Sequence, residues 1–190
     1  MSTAPKRYGR LPGDPSTEEM IERFIRVDHA GEYGATRIYE GQLAVLGSSD
    51  VGAILREMAS AEERHLDTFD KLIVERRVRP TVLMPLWKIA GFALGAGTAL
   101  LGREAAMACT VAIEEVIEEH YSDQSKQLDT LPANEAEPEL RQVIEGFKAE
   151  EVEHRNIALA NHAEKAPAYP ILSSAIKTGS KMAIWLSERI

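Results

Sequence analysis

The chain has 190 residues, and 30 acidic against 22 basic side chains give it a formal net charge of −8 at pH 7. This length suits one well-buried core rather than two domains. The acidic balance argues against nucleic acid as the main partner, because phosphate binding needs a basic face. The single cysteine, Cys109, excludes an intrachain disulfide and any cysteine-based zinc or rubredoxin site.

Apolar periodicity and the breakers between periodic stretches predict six helices after a flexible segment at 1–15. A capping box formed by Ser16 and Glu19 begins the first helix, which is expected to end near Gly47. The other helices are expected at about 50–77, 86–101, 104–128 and 139–164, and from Pro170 to 190. Residues 16–190 are therefore predicted to form one all-α domain.

Two of these helices carry Glu-x-x-His within the face that their apolar residues define. The pair is Glu62 and His65 in the second helix, and Glu151 and His154 in the fifth. Apolar side chains at steps of three and four flank both pairs, so both should point into the core. Charged groups are seldom buried unless they are paired or bind metal.

The first and fourth helices each add one acid, Glu32 and Glu114, on the same kind of apolar face. An isolated Glu-x-x-His is usually a solvent-exposed pair, but four helices with acids on the apolar face favour a metal site. This inventory is the one that ferritin-like di-iron proteins build in a four-helix core. We expect a ferritin-like bundle with two extra apolar or amphipathic helices. One iron is assigned to Glu32, Glu62 and His65, and the other to Glu114, Glu151 and His154, with Glu62 and Glu151 as bridges.

The two ligand-bearing halves, Glu32 to His65 and Glu114 to His154, resemble a diverged internal repeat of one helix pair. Acids beside the chosen ligands turn about 100° or more off the apolar stripe and are expected to face solvent. These acids are Glu63, Glu115, Glu150 and Glu153.

Other polar residues near the predicted site have open roles. Asp28 precedes Glu32 by one turn and either hydrogen-bonds a ligand histidine or lies on the helix surface. His120 and Tyr121 are candidates for contacts to substrate or for proton or electron transfer, with core packing as the alternative for Tyr121. His29 and His162 are interpreted as structural or exposed.

The segment 81–101 is almost wholly apolar and carries one charge, Lys88. Its length reaches the lower bound for spanning a bilayer, about 20 residues, but Pro85, Lys88 and three glycines weaken that interpretation. A fully buried helix is the plain alternative. We expect a segment that dips into lipid or covers a hydrophobic channel, supported by the apolar surface of the last helix. The implied substrate is a lipid.

Several long stretches resemble the demethoxyubiquinone hydroxylases, the di-iron monooxygenases of ubiquinone biosynthesis. They are 26–42 (RVDHAGEYGATRIYEGQ), 77–102 (RVRPTVLMPLWKIAGFALGAGTALLG), 106–121 (AMACTVAIEEVIEEHY), 151–154 (EVEH) and 166–190. The ligands of that family fall on the same six residues chosen above from periodicity.

The resemblance implies that O2 and a pair of iron ions hydroxylate the ring of a polyprenylated demethoxyubiquinol or demethoxyubiquinone, with electrons from NADH or from the quinol. It also implies peripheral membrane association and a lipid-binding partner protein; a homo-oligomer is compatible with the sequence. The cytoplasmic face of a bacterial inner membrane is expected, since 1–15 makes a poor transit peptide; the matrix side of the mitochondrial inner membrane is the alternative. The competing functions are an iron-storage or peroxide-scavenging protein and a non-catalytic membrane scaffold.

Overall fold

A computed structural model describes residue 13 and residues 15–190, and this part of the chain consists of helices and the turns between them. The all-α prediction is confirmed. The expected flexible segment at 1–15 lies outside the described residues, apart from 13 and 15. The six long helices are α1 Thr17–Leu46, α2 Gly52–Glu75, α3 Met84–Leu100, α4 Arg103–Asp129, α5 Pro138–Ala160 and α6 Tyr169–Ser187.

The helix ends follow from local chemistry. The predicted capping box is present: Ser16 Oγ accepts from the Glu19 amide at 3.1 Å, and Glu19 Oε2 accepts from the Ser16 amide at 2.7 Å. Pro85 lies in the first turn of α3. Backbone amides in the first turn of a helix have no intrahelical acceptor, so the amide hydrogen that proline lacks is not missed there. The prediction that the fifth helix reaches residue 164 is wrong. It ends at Ala160 because His162 adopts the left-handed conformation, with φ of 66°.

Four helices form the bundle that holds the predicted site. α1 packs on α2 and α4 packs on α5, and these two hairpins face each other. Two of the three apolar clusters of the described core draw residues from all four of these helices. On each helix the predicted ligands lie, in the sequence, between residues of one cluster and residues of the other. The first cluster includes Tyr39, Leu55, Met58, Met107 and Ala158, and the second includes Ile25, Phe69, Tyr121, Leu140 and Ile144.

α3 packs directly against the backbone of α1. A Cβ atom added at Gly95 would lie 1.9 Å from the Ile38 carbonyl oxygen, and one added at Gly91 would lie 2.8 Å from the Gly34 carbonyl oxygen. Only glycine permits this approach. α6 packs chiefly on α4, so that α3 and α6 flank the same side of the bundle.

Both flanking helices expose large apolar side chains to the outside. None of the helices within the described residues is long and apolar enough to cross a membrane. Exposed apolar patches of this kind mark surfaces that contact lipid or protein. The exposed side chains are Leu86, Ile89, Phe92 and Leu100 on α3, and Ile171, Met182 and Trp185 on α6.

Candidate metal centre

The six residues predicted from helical periodicity come together in one buried layer between the two apolar clusters. Their donor atoms form two groups, each with atoms within 4.8 Å of one another. Glu62 and Glu151 belong to both groups and lie between the two. One group consists of Glu32, Glu62, His65 and Glu151, and the other of Glu62, Glu114, Glu151 and His154.

Several oxygen and nitrogen atoms of this layer lie close together without forming hydrogen bonds. Both carboxylate oxygens of Glu62 and of Glu151 are buried and have no hydrogen-bond partner among the described residues. His65 Nδ1 lies 3.1 Å from Glu151 Oε1, and His154 Nδ1 lies 3.1 Å from Glu62 Oε1, but neither contact has hydrogen-bond geometry. Buried polar atoms without partners need an explanation, and a cation between them supplies one.

The acids show the electrostatic cost of this arrangement. Burial raises the pKa of Glu32 and Glu62, and the negative charge of Glu151 raises that of Glu62 further. Burial likewise raises the pKa of Glu114, with Glu151 again adding to the effect. Carboxylates held in a low-dielectric interior are stable as anions only beside compensating positive charge.

The histidines respond in the opposite sense. Burial alone would lower the pKa of His65, but the adjoining carboxylates of Glu151 and Glu32 outweigh it and raise the pKa to about 11. The same balance raises the pKa of His154 to about 9 through Glu151 and Glu62. Burial favours a neutral Glu151, but interactions with His154 and His65 prevail and lower its pKa to about 2. Four carboxylates and two imidazoles therefore form a site where a bound metal ion would compete with protons.

The donor set fits divalent transition metals. Imidazole nitrogen suits iron, zinc and copper, and carboxylates can bridge two ions. Each group offers one imidazole nitrogen and three carboxylates, two of them shared. Two adjacent ions fit this arrangement.

Two tyrosines hold the outer acids of the layer. Tyr39 donates to Glu114 Oε1 at 3.0 Å, and Tyr121 donates to Glu32 Oε1. Tyr121 is fully buried, so it is both a core residue and a neighbour of the site. The sequence interpretation missed Tyr39. The signal that could have found it is spacing, because Tyr39 follows Glu32 by seven residues, as Tyr121 follows Glu114.

Glu150 also contacts the site, against the expectation that it faces solvent alone. Its side chain is 40% exposed, yet Oε2 lies 3.2 Å from His65 Nε2 and 3.0 Å from Arg64 Nη2. Of the other neighbouring acids, Glu63 and Glu153 are exposed as expected, whereas Glu115 is half-buried and pairs with a lysine of α6.

Asp28 serves neither of the roles expected for it. It is buried and accepts from Gln124 Nε2 at 2.7 Å, and its Oδ1 lies 3.0 Å from His120 Nε2. It does not contact a ligand histidine. Burial raises the pKa of Asp28 against the opposing effect of His120. His29, interpreted as structural or exposed, is buried and lies 2.9 Å from an aspartate of α2, while His162 is exposed.

A cavity of about 580 Å³ lies between α1, α3, α4 and α6. Its walls are mostly apolar, which is typical of sites for small organic ligands. Among the polar residues on its wall are Asp28, Glu32, His120 and Tyr121, so it reaches one predicted ligand directly.

Glycines on α1 keep this cavity open. A Cβ atom added at Gly31 or Gly34 would meet no atom within 4 Å, and both residues line the cavity. On the other side Trp87 Nε1 of α3 donates to Ser187 Oγ of α6 at 3.0 Å, which joins the two flanking helices.

Comparison with known proteins identifies the family of the chain. Residues 19–187 match the family model described as ubiquinone biosynthesis protein COQ7. The chain is 61% identical over 185 residues to a 3-demethoxyubiquinol 3-hydroxylase of Rhodospirillum rubrum, covering 95% of this chain and 84% of the relative. It is 55% identical over 177 residues to the NADPH-dependent 3-demethoxyubiquinone 3-hydroxylase, mitochondrial, of Homo sapiens, covering 93% and 81%. Identity to the 5-demethoxyubiquinone hydroxylase, mitochondrial, of Saccharomyces cerevisiae is 41% over 182 residues, covering 90% and 78%.

Proposed function

Because this chain belongs to the family of ubiquinone biosynthesis protein COQ7, we propose that it is a demethoxyubiquinone hydroxylase working with two bound iron ions. The substrate is a polyprenylated demethoxyubiquinol or demethoxyubiquinone. The single observation that carries the proposal is the contact between an apolar cavity and a buried set of four carboxylates and two imidazoles, through Glu32.

In this proposal Glu32, Glu62 and His65 hold one iron, Glu114, Glu151 and His154 hold the other, and Glu62 and Glu151 bridge them. The charge supports the assignment, since four carboxylates neutralise two ferrous ions inside the bundle. A bound iron pair supplies the reduction of O2 that the reaction needs. Tyr39 and Tyr121 hold the outer acids by hydrogen bonds, which leaves the second oxygen of each free for metal.

The atoms of the reaction balance when an external reductant is included. One oxygen atom of O2 enters the ring in place of a hydrogen, as a hydroxyl group, and the other leaves as water. This requires two electrons and two protons. In our proposal a quinol supplies all of them, whereas NADH supplies both electrons and one proton as hydride and solvent supplies the second proton. NADPH is a further candidate, because several relatives are named NADPH-dependent.

The cavity supports a position for the ring beside Glu32. Asp28 is buried and its Oδ2 has no hydrogen-bond partner among the described residues, so it can accept from a ring hydroxyl. His120 and Gln124 hold the other oxygen of Asp28 and so orient the carboxylate. Gly31 and Gly34 leave the space that a substituted ring needs, and the apolar walls exclude water.

The exposed apolar side chains of α3 and α6 support peripheral association with a membrane. They flank the same cavity, so a polyprenyl tail could remain in lipid while the ring enters the protein. The identity to a bacterial relative supports the cytoplasmic face of a bacterial inner membrane; the matrix side of the mitochondrial one is the alternative. In this proposal a lipid-binding protein of the same pathway acts at this surface.

The test measures metal content and then one turnover. Protein purified without oxygen should hold two irons per chain, and addition of O2 with a short-tailed demethoxyquinol should give the hydroxylated ring. Two irons without product would remove the hydroxylase assignment and keep the metal centre. Iron uptake far above two per chain would indicate storage, and a folded protein that binds no iron would overturn the proposal as a whole.

A further inference from the structure

The two Glu-x-x-His helices are alike in the ligands they carry and differ in the residue that precedes them. In α2 the residue before Glu62 is Ala61, whereas in α5 the residue before Glu151 is Glu150. Each ligand histidine approaches the carboxylate of the opposite helix, His65 toward α5 and His154 toward α2. His65 therefore has a second carboxylate, that of Glu150, on the side of its ring that carries Nε2. The equivalent position for His154 is an alanine.

The contacts bear out this difference. His65 Nε2 lies 3.2 Å from Glu150 Oε2, and Arg64 Nη2 contacts the same oxygen at 3.0 Å. No side chain in the described part of the chain pairs with Nε2 of His154, whose side chain is 8% exposed against 1% for His65. Of the two ligand histidines, only His65 is thus oriented by a carboxylate at Nε2.

Stacking adds to the same asymmetry. The Phe147 ring stacks on His65 with centroids 3.9 Å apart and planes 25° apart. Phe147, Glu150 and Glu151 lie within about one turn of α5, and all three contact His65. The α2 residue equivalent to Phe147 is Met58, whose sulfur lies 3.8 Å from the Tyr39 hydroxyl.

A carboxylate behind a ligand histidine has a known physical effect. It accepts the Nε2 hydrogen, which leaves the Nδ1 lone pair directed at the metal and makes that nitrogen a stronger donor. The stacked ring loses less freedom on binding because its orientation is already set.

We propose that the two metal positions are inequivalent, and that Glu150 acts as a positioning residue that makes the His65 position the tighter one. This inference rests on the proposed function, because it requires the two-ion site. Glu150 itself holds no metal in this arrangement; it acts through the imidazole of His65. The metal ion at the His154 position binds after the ion at the His65 position and is released before it.

The experiment titrates Co²⁺ into metal-stripped protein, with heat and visible absorption as readouts. We expect two resolved binding steps in the native sequence. His65→Ala should remove the tighter step and His154→Ala the weaker one, which assigns each step to a position. Glu150→Gln should weaken the tighter step by about 10- to 100-fold and leave the other within about twofold.

Glu153→Gln is the matched control, since Glu153 is an exposed acid on the same helix. It should leave both steps unchanged. Glu150 is partly exposed, so Glu150→Gln should keep the native circular dichroism spectrum. The absorption of the first Co²⁺ bound should shift in Glu150→Gln, which a change in overall stability would not produce.

The outcomes separate this inference from the proposal on which it rests. Two bound Co²⁺ ions with equal affinities, or affinities that Glu150→Gln lowers equally, would overturn the inequivalence and keep the metal centre. Loss of the weaker step alone in Glu150→Gln would overturn the assignment to His65. Absence of any Co²⁺ binding by the native protein would overturn the metal centre itself.

Discussion

Tyr39 on α1 donates a hydrogen bond to Glu114 on α4 at 3.0 Å, and Tyr121 on α4 makes the reciprocal contact with Glu32 on α1. Each tyrosine follows the acid of its own helix by seven residues, two helical turns further along the same face. The two helices therefore exchange one contact of the same kind. The exchange holds both outer acids in place and gives the two halves of the site matching contacts.

Removal of one of these phenols should destabilise the protein measurably. In Tyr39→Phe one buried oxygen of Glu114 loses its partner, so we expect the free energy of unfolding to fall by about 1–2 kcal/mol. Urea unfolding in the presence of a chelator gives the value. Tyr33→Phe is the control, because Tyr33 lies on the same helix and is only partly buried. Equal stability of the two variants would contradict the contribution assigned to Tyr39.

Loss of a bridging acid should abolish the metal pair. We expect Glu62→Ala and Glu151→Ala to hold fewer than two irons per chain and to lose turnover, because each acid belongs to both donor groups. Glu63→Ala and Glu153→Ala are matched controls at exposed neighbouring positions and should keep full metal content. Metal analysis after anaerobic reconstitution makes the comparison. Full iron content in Glu62→Ala would rule out the bridging assignment.

A side chain placed in the cavity should obstruct the substrate and spare the metal. Gly34→Leu projects into open space beside Glu32, so we expect KM for a short-tailed demethoxyquinol to rise by roughly tenfold or more. Gly146→Leu is the control, because Gly146 is equally free of neighbours but does not line the cavity. Leucine is the better helix former, so neither substitution should weaken its helix. Unchanged KM in Gly34→Leu would show that the ring binds elsewhere.

The stability of the metal-free protein should fall as pH rises above neutrality. A histidine in an unfolded chain titrates near pH 6.5, whereas the folded pKa values of His154 and His65 are about 9 and 11. Their contribution is complete below about pH 6.5 and is lost as the pH passes through the folded pKa values. The raised pKa values of Glu62 and Glu114 act in the same direction.

We therefore expect the free energy of unfolding of the metal-free protein to decrease from pH 6.5 to 9, by roughly 1–3 kcal/mol per pH unit, because each of the two histidines contributes up to about 1.4 kcal/mol per pH unit. Urea titrations with chelator at several pH values measure this slope. Metal-loaded protein is the comparison, since cations replace the protons and should remove the decrease. A metal-free protein whose stability is constant over this range would contradict the protonation states assigned to the site.

A charge on the exposed face of α3 should weaken binding to lipid. Ile89 is 71% exposed, and Ile89→Glu should reduce affinity for vesicles of anionic and zwitterionic phospholipid by roughly tenfold. Val74→Glu is the control, because Val74 is 75% exposed on α2, away from the cavity. Sedimentation with vesicles measures binding, and iron content should stay unchanged in both variants. Equal vesicle binding by the two variants would remove α3 from the proposed membrane surface.

Helical periodicity was sufficient to select the six candidate ligands because it reports which side chains face the core. An acid such as Glu62 that falls on an apolar face is conspicuous, and the structure brings all six together. The capping box at Ser16 fixed the start of α1 for a similar reason, since its chemistry is local. The end of α5 was missed because no glycine or proline at 161–163 marks the left-handed turn at His162.

Contacts between side chains on different helices could not be predicted from the sequence. Periodicity gives the face of a helix but neither its height nor its rotation against a neighbour. Asp28 was expected to contact a ligand histidine or to lie on the helix surface, yet its partners are His120 and Gln124 on another helix. Glu150 lies off the apolar stripe, and only the position of α2 brings His65 within its reach.

The hydrogen bond from Trp87 to Ser187 joins two helices that lie far apart in the sequence. All six candidate ligands lie between residues 32 and 154, whereas α6 begins at Tyr169. The candidate ligands therefore all precede, in the sequence, the helix that closes the cavity. A chain in which α6 has not docked therefore still has all six candidate ligands, and the apolar wall formed by α3 and α6 becomes continuous only when α6 docks.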